Sequence, residues 1–293
     1  MDTRLKPFTQ GYRNEGITSY NCRYKLEPMV DYPPERHFHD YYEVYLHIHG
    51  GQYMSVDDCI YFLQPGSLFL LPPFSMHGVM YDHDLINYER LFLDITPQAF
   101  TSCGCGIFDP LALVRDCIEH GHHVFSMSPE NVRKCIGLAK DWRSYPPSEQ
   151  ISPAEALSKH LCFLGIIQIV LETLQNRTAA VQRAPEKQQQ IQRVLSYIDQ
   201  HFAEPLTLET VAKQFNISIS SLCHMFSRYT GRSMYEYTLY RRINYACEML
   251  IAGEPLSSVA YQCGFNNYSS FMRMFKKIIG MPPNAYLKQN RNL

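Results

Sequence analysis

VAKQFNISISSLCHMFSRYTGRSMYEY, residues 211–237, returns in altered form as VAYQCGFNNYSSFMRMFKKIIGMPPNAY, residues 259–286. Val211-Ala212 aligns with Val259-Ala260, Ile217 with Phe265, Leu222 with Phe271, Met225-Phe226 with Met274-Phe275, and Gly231 with Gly280. The offset is 48 residues before the central turn and 49 after it, so the second copy carries one extra turn residue. A repeat of this kind marks one supersecondary unit used twice.

Each copy reads as helix, tight turn, helix. Thr207 can cap a helix through Gln214, Asn216 tolerates left-handed backbone, and Ser218 can cap a second helix ending near Gly231. In the second copy Gly264 ends the first helix and Asn266 or Asn267 caps the next. The second helices are two-faced. Leu222, Met225, Phe226 and Tyr229 oppose Ser220, His224, Ser227 and Arg228; Phe271, Met274, Phe275 and Ile278 oppose Ser269, Arg273, Lys276 and Lys277. The apolar faces are core, and a small polar face beside an N-terminal helical turn fits a DNA major groove. Residues 234–251 form a helical pattern on Leu239, Ile243, Ala246 and Leu250. That helix is ~27 Å long at about 1.5 Å per residue, a rigid spacer for two units reading major-groove segments ~34 Å apart.

The stretch from Tyr197 to Leu250, with VAYQCGFNNYSSFMRMFKKIIGMPPNAYL, resembles the DNA-binding half of the AraC/XylS transcriptional regulators over about 100 residues. The order Ala260, Gly264-Phe265, Phe271, Arg273, Phe275-Lys276, Gly280, Pro283, Tyr286 carries the likeness. The resemblance implies that one helix of each copy enters the groove, with Ser220, Ser221 and His224 facing bases in the first reader and Tyr268, Ser269 and Arg273 in the second. The chain departs from the family at His224, where a long cation is usual. Arg273 can make the bidentate contact to guanine, and Arg228, Arg232, Lys276 and Lys277 suit phosphates, which position without specifying.

Charge divides the chain the same way. From Gln190 onward there are 11 Lys+Arg against 6 Asp+Glu, or +5, while the rest carries 16 against 22, or −6. Such asymmetry suits a nucleic-acid-binding end joined to a part with another task. The expected domains are 1–108, a β domain; 109–175, a helical dimerisation and transmission segment; 176–189, a linker; and 190–293, the DNA-binding domain. Within the last, the two helix-turn-helix units fall at about 207–230 and 256–279. The fold class is α+β.

Residues 36–95 read as short strands, EVYLHIH and SLFLLP among them, punctuated by Gly50-Gly51, Asp57-Asp58, Pro65-Gly66 and Pro72-Pro73. Helical spacing begins near Asp109 with Leu111, Val114, Cys117 and Ile118, continues over 131–142, and culminates in a long helix opened by Ser152-Pro153. Its stripe Leu157, Leu161, Leu164, Ile167 and Leu171 has more apolar neighbours than one buried face needs, which predicts self-association into a homodimer.

His37-x-His39-x3-Glu43 with Pro72-Pro73-x3-His77 has the spacing by which a cupin barrel gathers three imidazoles and a carboxylate, a set suited to iron, manganese or zinc. On an extended strand 37, 39 and 43 share a face with Tyr41, Tyr45, His47 and His49, opposite apolar Phe38, Tyr42, Val44, Leu46 and Ile48. This half resembles the cupin-type sensor domain that accompanies such DNA readers. The resemblance implies a β-barrel holding a small effector, with His37, His39, Tyr41, Glu43, Tyr45 and His77 lining its pocket and no metal required. Cys103-x-Cys105 with His120, His122 and His123 lacks regular ligand spacing. No phosphate loop, nucleophile elbow or paired carboxylate motif is present, so no catalytic residue is assigned.

These readings converge on an effector-controlled, sequence-specific transcriptional regulator that binds double-stranded DNA, a small molecule and RNA polymerase. A metal-dependent cupin enzyme carrying a DNA-binding domain is the second reading. Ten cysteines without regular spacing suit a reducing cytoplasm; no apolar leader or membrane span is expected.

Overall fold

A computed structural model describes residues 19–30, 36–51, 53–57, 59–80, 85–120, 122–145, 151–176, 186–230 and 232–290. Strands β1 (Tyr20–Val30), β2 (Tyr42–His49), β3 (Tyr53–Val56), β4 (Cys59–Phe62), β5 (Ser67–Leu71), β6 (His77–Met80), β7 (Leu85–Ile95) and β8 (Val124–Ser126) build two antiparallel sheets. One runs β1-β7-β2-β5-β8 and the other β4-β3-β6. Period-two alternation places each sheet between two layers. Tyr45, Phe69 and Leu71 from the larger sheet meet Met54, Val56 and Tyr61 from the smaller, filling the space between the two. Tyr42, Val44, Leu46, Leu68, Leu70, Leu91 and Leu93 turn the other way, onto a helical layer.

That layer comprises α1 (Pro97–Ser102), α2 (Pro110–Glu119), α3 (Pro129–Ser144) and α4 (Pro153–Gln175). Each has Pro in its first turn and a Thr, Asp or Ser N-cap, namely Thr96, Asp109, Ser128 and Ser152. The α4 stripe divides. Ile167 and Leu171 are buried in the sheet-facing core and Leu164 is half-buried, whereas Leu157 and Leu161 stay 59% and 57% exposed. In length and composition α4 could cross a membrane, yet its C-terminal half, from Cys162 to Leu174, is largely core.

The C-terminal half is helical: α5 (Glu186–His201), α6 (Leu208–Gln214), α7 (Ile219–Thr230), α8 (Met234–Ile251), α9 (Leu256–Gln262), α10 (Tyr268–Ile279) and α11 (Pro283–Asn290). Helix α5 begins inside the stretch expected as linker, because Glu, Lys and Gln are good helix formers; 177–185 lie outside the described residues, as does Gly231. Thr207 caps α6, Asn216 is left-handed at φ 52°, and the Ser218 hydroxyl accepts from the Ser221 amide at 3.1 Å. Asn267 caps α10 by accepting from the Ser270 amide at 2.8 Å.

The two halves share a core. Phe38, Ile60 and Met76, on the outer side of the smaller sheet, belong to the same buried cluster as Ile198, Leu222, Tyr237, Ile243 and Phe271. Polar contacts cross the same seam. The buried Arg36 guanidinium donates to the Tyr237 hydroxyl at 2.8 Å, and the Asn244 amide donates to the Phe74 carbonyl at 2.5 Å. Tyr237 donates in turn to Asp199 at 3.0 Å, which also pairs with Arg241 at 2.8 Å.

Candidate nucleic-acid interface and sensor cluster

Helix α10 buries Phe271, Phe275, Ile278 and Ile279 and leaves Ser269, Arg273, Lys276 and Lys277 exposed. Tyr268, 37% exposed, sits at its first turn with its ring 6.2 Å from that of Phe271. In α7 Leu222 and Phe226 are buried, and Ser220, Ser221, Cys223, His224 and Ser227 are exposed. The structure thus places all six expected base-facing residues on exposed faces near the N-terminal turns of the two second helices. Ser221 is partly engaged, since its hydroxyl accepts from Ser218 at 2.8 Å. Cys223 was missed by the sequence reading, although its position three residues after Ser220 and four before Ser227 puts it on the same face.

Of the four expected phosphate contacts, Lys276 and Lys277 stand exposed on the last turn of α10. Arg232 does not fit that role. It is only 8% exposed, and its guanidinium lies 4.3 Å from the centroid of the Tyr240 ring, a cation–π seat that fixes the turn between α7 and α8. The Arg228 side chain lies outside the described residues. A groove of about 1150 Å³ separates the two readers, with Cys223 and Ser227 on one wall and Met274 and Lys277 on the other.

In the sensor, five of the six expected pocket residues come together. His37 and His77 are bridge-paired through both backbone hydrogen bonds, 2.8 and 2.9 Å, and their rings are 4.5 Å apart. His39 stacks on Tyr41 at 3.9 Å. Glu43 reaches both: Oε2 is 3.5 Å from His39 Nε2 and Oε1 is 3.8 Å from His77 Nε2. One ligand-type atom from each of His37, His39, Glu43 and His77 lies within 4.8 Å of every other. The sixth residue, Tyr45, belongs to a neighbouring polar group in which its hydroxyl pairs with Tyr88 at 2.9 Å and faces His47 at 3.4 Å. All six are buried. They form packed contacts rather than an open lumen, and a cavity of about 680 Å³ lies elsewhere, beside β1 and Trp142.

The sequence reading missed Arg23 and Asp94, which β1 and β7 bring to the cluster. Asp94 sits opposite Glu43 in the β2–β7 register and pairs with Arg23 at 2.7 Å. Burial and the adjacent Glu43 charge push Asp94 up to about 7 against the pull of Arg23. Burial would raise Glu43 too, but the close approach of His39 and the charges of His77, His39 and Arg23 outweigh it and hold Glu43 down to about 2. Burial, then the charges of His49 and Arg90, pushes His47 down to about 4. Cys105 is exposed and His120 pairs with Asp116; among the described residues the Cys103–His123 region gathers no ligand set.

Comparison with known proteins agrees at both ends. A family model described as an AraC-like ligand binding domain matches residues 25–133, and a helix-turn-helix domain model matches 211–289. The chain belongs to the AraC/XylS family of transcriptional regulators. It is similar to the HTH-type transcriptional activator RhaS of an Enterobacter species, 23% identical over 268 residues and 90% of each chain. RhaS of Salmonella arizonae is 21% identical over 267 residues, again 90% of each. Among solved structures, ToxT from Vibrio cholerae is 13% identical, covering 94% of this chain and all of its own, with TM-score 0.37. The C-terminal domain of AraT from Geobacillus stearothermophilus is 31% identical over 34% of this chain and 84% of its own, with TM-score 0.33. This AraC-type chain therefore joins an antiparallel, cupin-like sensor to a helical DNA-binding domain, as an effector-controlled DNA-binding regulator.

Proposed function

We propose that Ser220, Ser221 and His224 on α7 and Tyr268, Ser269 and Arg273 on α10 read base edges in neighbouring major-groove segments, with Lys276 and Lys277 holding phosphates. The observation that carries this reading is the α10 face: an exposed Arg273 one turn from a capped helix start, opposite a face that buries Phe271, Phe275 and Ile278. Arg can take both acceptors of guanine, and the serines suit either base of a pair. The exposed Leu157 and Leu161 support homodimerisation through α4, which would present four helix-turn-helix units. We assign the effector site to the packed group of His37, His39, Tyr41, Glu43, Tyr45 and His77, and the output to RNA polymerase in the cytoplasm, with no catalytic step.

The test is selection of duplexes from a randomised library with the full chain, followed by affinity measurement at fixed salt. A defined sequence is expected to emerge, and Arg273→Ala should weaken it by about 5- to 150-fold, the equivalent of ~1–3 kcal/mol, while relaxing one base position. Lys276→Ala should weaken selected and random DNA alike. No enrichment, or an Arg273→Ala chain that binds as the parent does, overturns the assignment.

A further inference from the structure

We infer that His37, His39, Glu43 and His77 bind one divalent first-row transition-metal ion, and that its occupancy sets the contact between the sensor and the DNA-binding domain. This deepens the regulatory reading above and rests on it for the second clause only.

The ligand geometry comes from backbone constraints. His39 Nδ1 lies 2.9 Å from the Tyr41 carbonyl and His77 Nδ1 lies 2.9 Å from the Ser75 carbonyl. A carbonyl oxygen only accepts, so both Nδ1 atoms carry a proton and both Nε2 atoms point to the interior, where a metal ion can take the place of any proton they hold. This is the outer-shell arrangement that fixes imidazole ligands on metals. Both Nε2 atoms face separate oxygens of one buried carboxylate at 3.5 and 3.8 Å. Those separations are long for N–H···O hydrogen bonds, which run about 2.7–3.2 Å. They approach the ~3.4 Å edge of a tetrahedron whose ligands stand about 2.1 Å from a central ion. His37 supplies the third imidazole, held beside His77 by the paired backbone bridge. Imidazole with one carboxylate selects zinc, iron, cobalt or manganese over calcium and magnesium.

The connection to the reader follows from alternation along the chain. His37 and His39 turn into the cluster, while Arg36 and Phe38 turn to the DNA-binding half. Likewise His77 turns inward, and Met76 lies in the core shared with the reader. Arg36 ties these threads together, donating to the Met76 carbonyl at 3.0 Å and to the Tyr237 hydroxyl on α8 at 2.8 Å. Drawing His37 and His77 onto one ion therefore moves the residues that touch α8.

The experiment uses the full chain, stripped with a chelator and titrated with cobalt(II) and zinc(II). Expected are one equivalent bound by elemental analysis, a visible cobalt d–d spectrum, and a higher melting temperature with metal. Glu43→Gln and His77→Ala should each abolish the spectrum, with circular dichroism verifying that they fold. A stripped protein that takes up no stoichiometric metal, or a spectrum unchanged in both variants, overturns the site. Affinity for a selected duplex should change about fivefold or more between stripped and loaded protein. Arg36→Met, with Asn244→Ala as a second seam variant, should keep the spectrum and lose that change. A loaded protein with unaltered DNA affinity overturns the coupling. If the spectrum stands but neither form prefers any duplex, the regulatory reading fails and the metal site does not.

Discussion

Replacing Gly264 by alanine should damage the second reader more than the same change at Gly253. Both glycines are left-handed, with φ of +81° and +92°, and both end helices of the DNA-binding half. An added Cβ at 253 meets nothing within 4 Å, so only the conformational strain of ~1–2 kcal/mol applies. At 264 the same atom would stand 2.3 Å from the Ala203 carbonyl oxygen and 2.7 Å from Ala203 Cα, backbone that cannot rotate away. Forcing that segment apart adds ~1–3 kcal/mol, so Gly264→Ala should cost about 2–5 kcal/mol in all. Urea unfolding of the full chain is followed by far-ultraviolet circular dichroism, which reports the helices of both halves, and by Trp142 fluorescence, which reports the N-terminal half, so that loss confined to the reader shows in the first signal before the second. A Gly264→Ala chain no less stable than Gly253→Ala would refute the claim that close approach to Ala203, rather than backbone sign alone, fixes the turn before α10.

Leu157→Asp with Leu161→Asp should yield a monomer by sedimentation velocity. Full burial of a leucine is worth about 1.5–3 kcal/mol, and four leucines still more than half exposed in the single chain would contribute ~4–7 kcal/mol across a two-fold interface; an unchanged association constant would place the interface elsewhere. Acid should weaken the sensor through His47. Its folded value of about 4 lies below the ordinary 6.5, so the unfolded chain binds more protons between those limits. That contribution is complete above pH 6.5, is lost as pH falls to 4, and amounts to about 3 kcal/mol. Asp94, raised to about 7, titrates across the same window with the opposite sign, so the His47 effect is the difference between the parent and His47→Gln curves, which should change by about 3 kcal/mol from pH 6.5 to 4; parallel curves for the two proteins would dismiss His47 as the cause.

Periodicity made the C-terminal half legible. Thr207, Asn216, Ser218 and Asn267 each perform a local task that depends only on neighbours in the chain, and α8 spans the same 234–251 read from Leu239, Ile243, Ala246 and Leu250. The alternation of β2 was equally readable, with Glu43, Tyr45 and His47 on one side and Tyr42, Val44 and Leu46 on the other. What escaped depends on partners distant in sequence. Arg23 and Asp94 reach Glu43 through strand register, and Arg232 looked like a surface cation until the Tyr240 ring covered it. The α4 stripe gave a single periodic signal for two destinations, because Leu171 is buried in the sheet-facing core while Leu157 stays exposed; periodicity reports which face is apolar, not what meets it.

The seam between the halves has a bearing on how such proteins can be recombined. A foreign sensor grafted ahead of residue 186 would leave Tyr237, Ile243 and Asn244 without Arg36, Phe38, Phe74 and Met76, uncovering an oily, hydrogen-bonding scar on the reader. A working chimera must therefore import the 36–38 and 74–76 segments as a matched pair with α8, which makes the joint itself, and not the tether, the unit that evolution or a designer has to carry across.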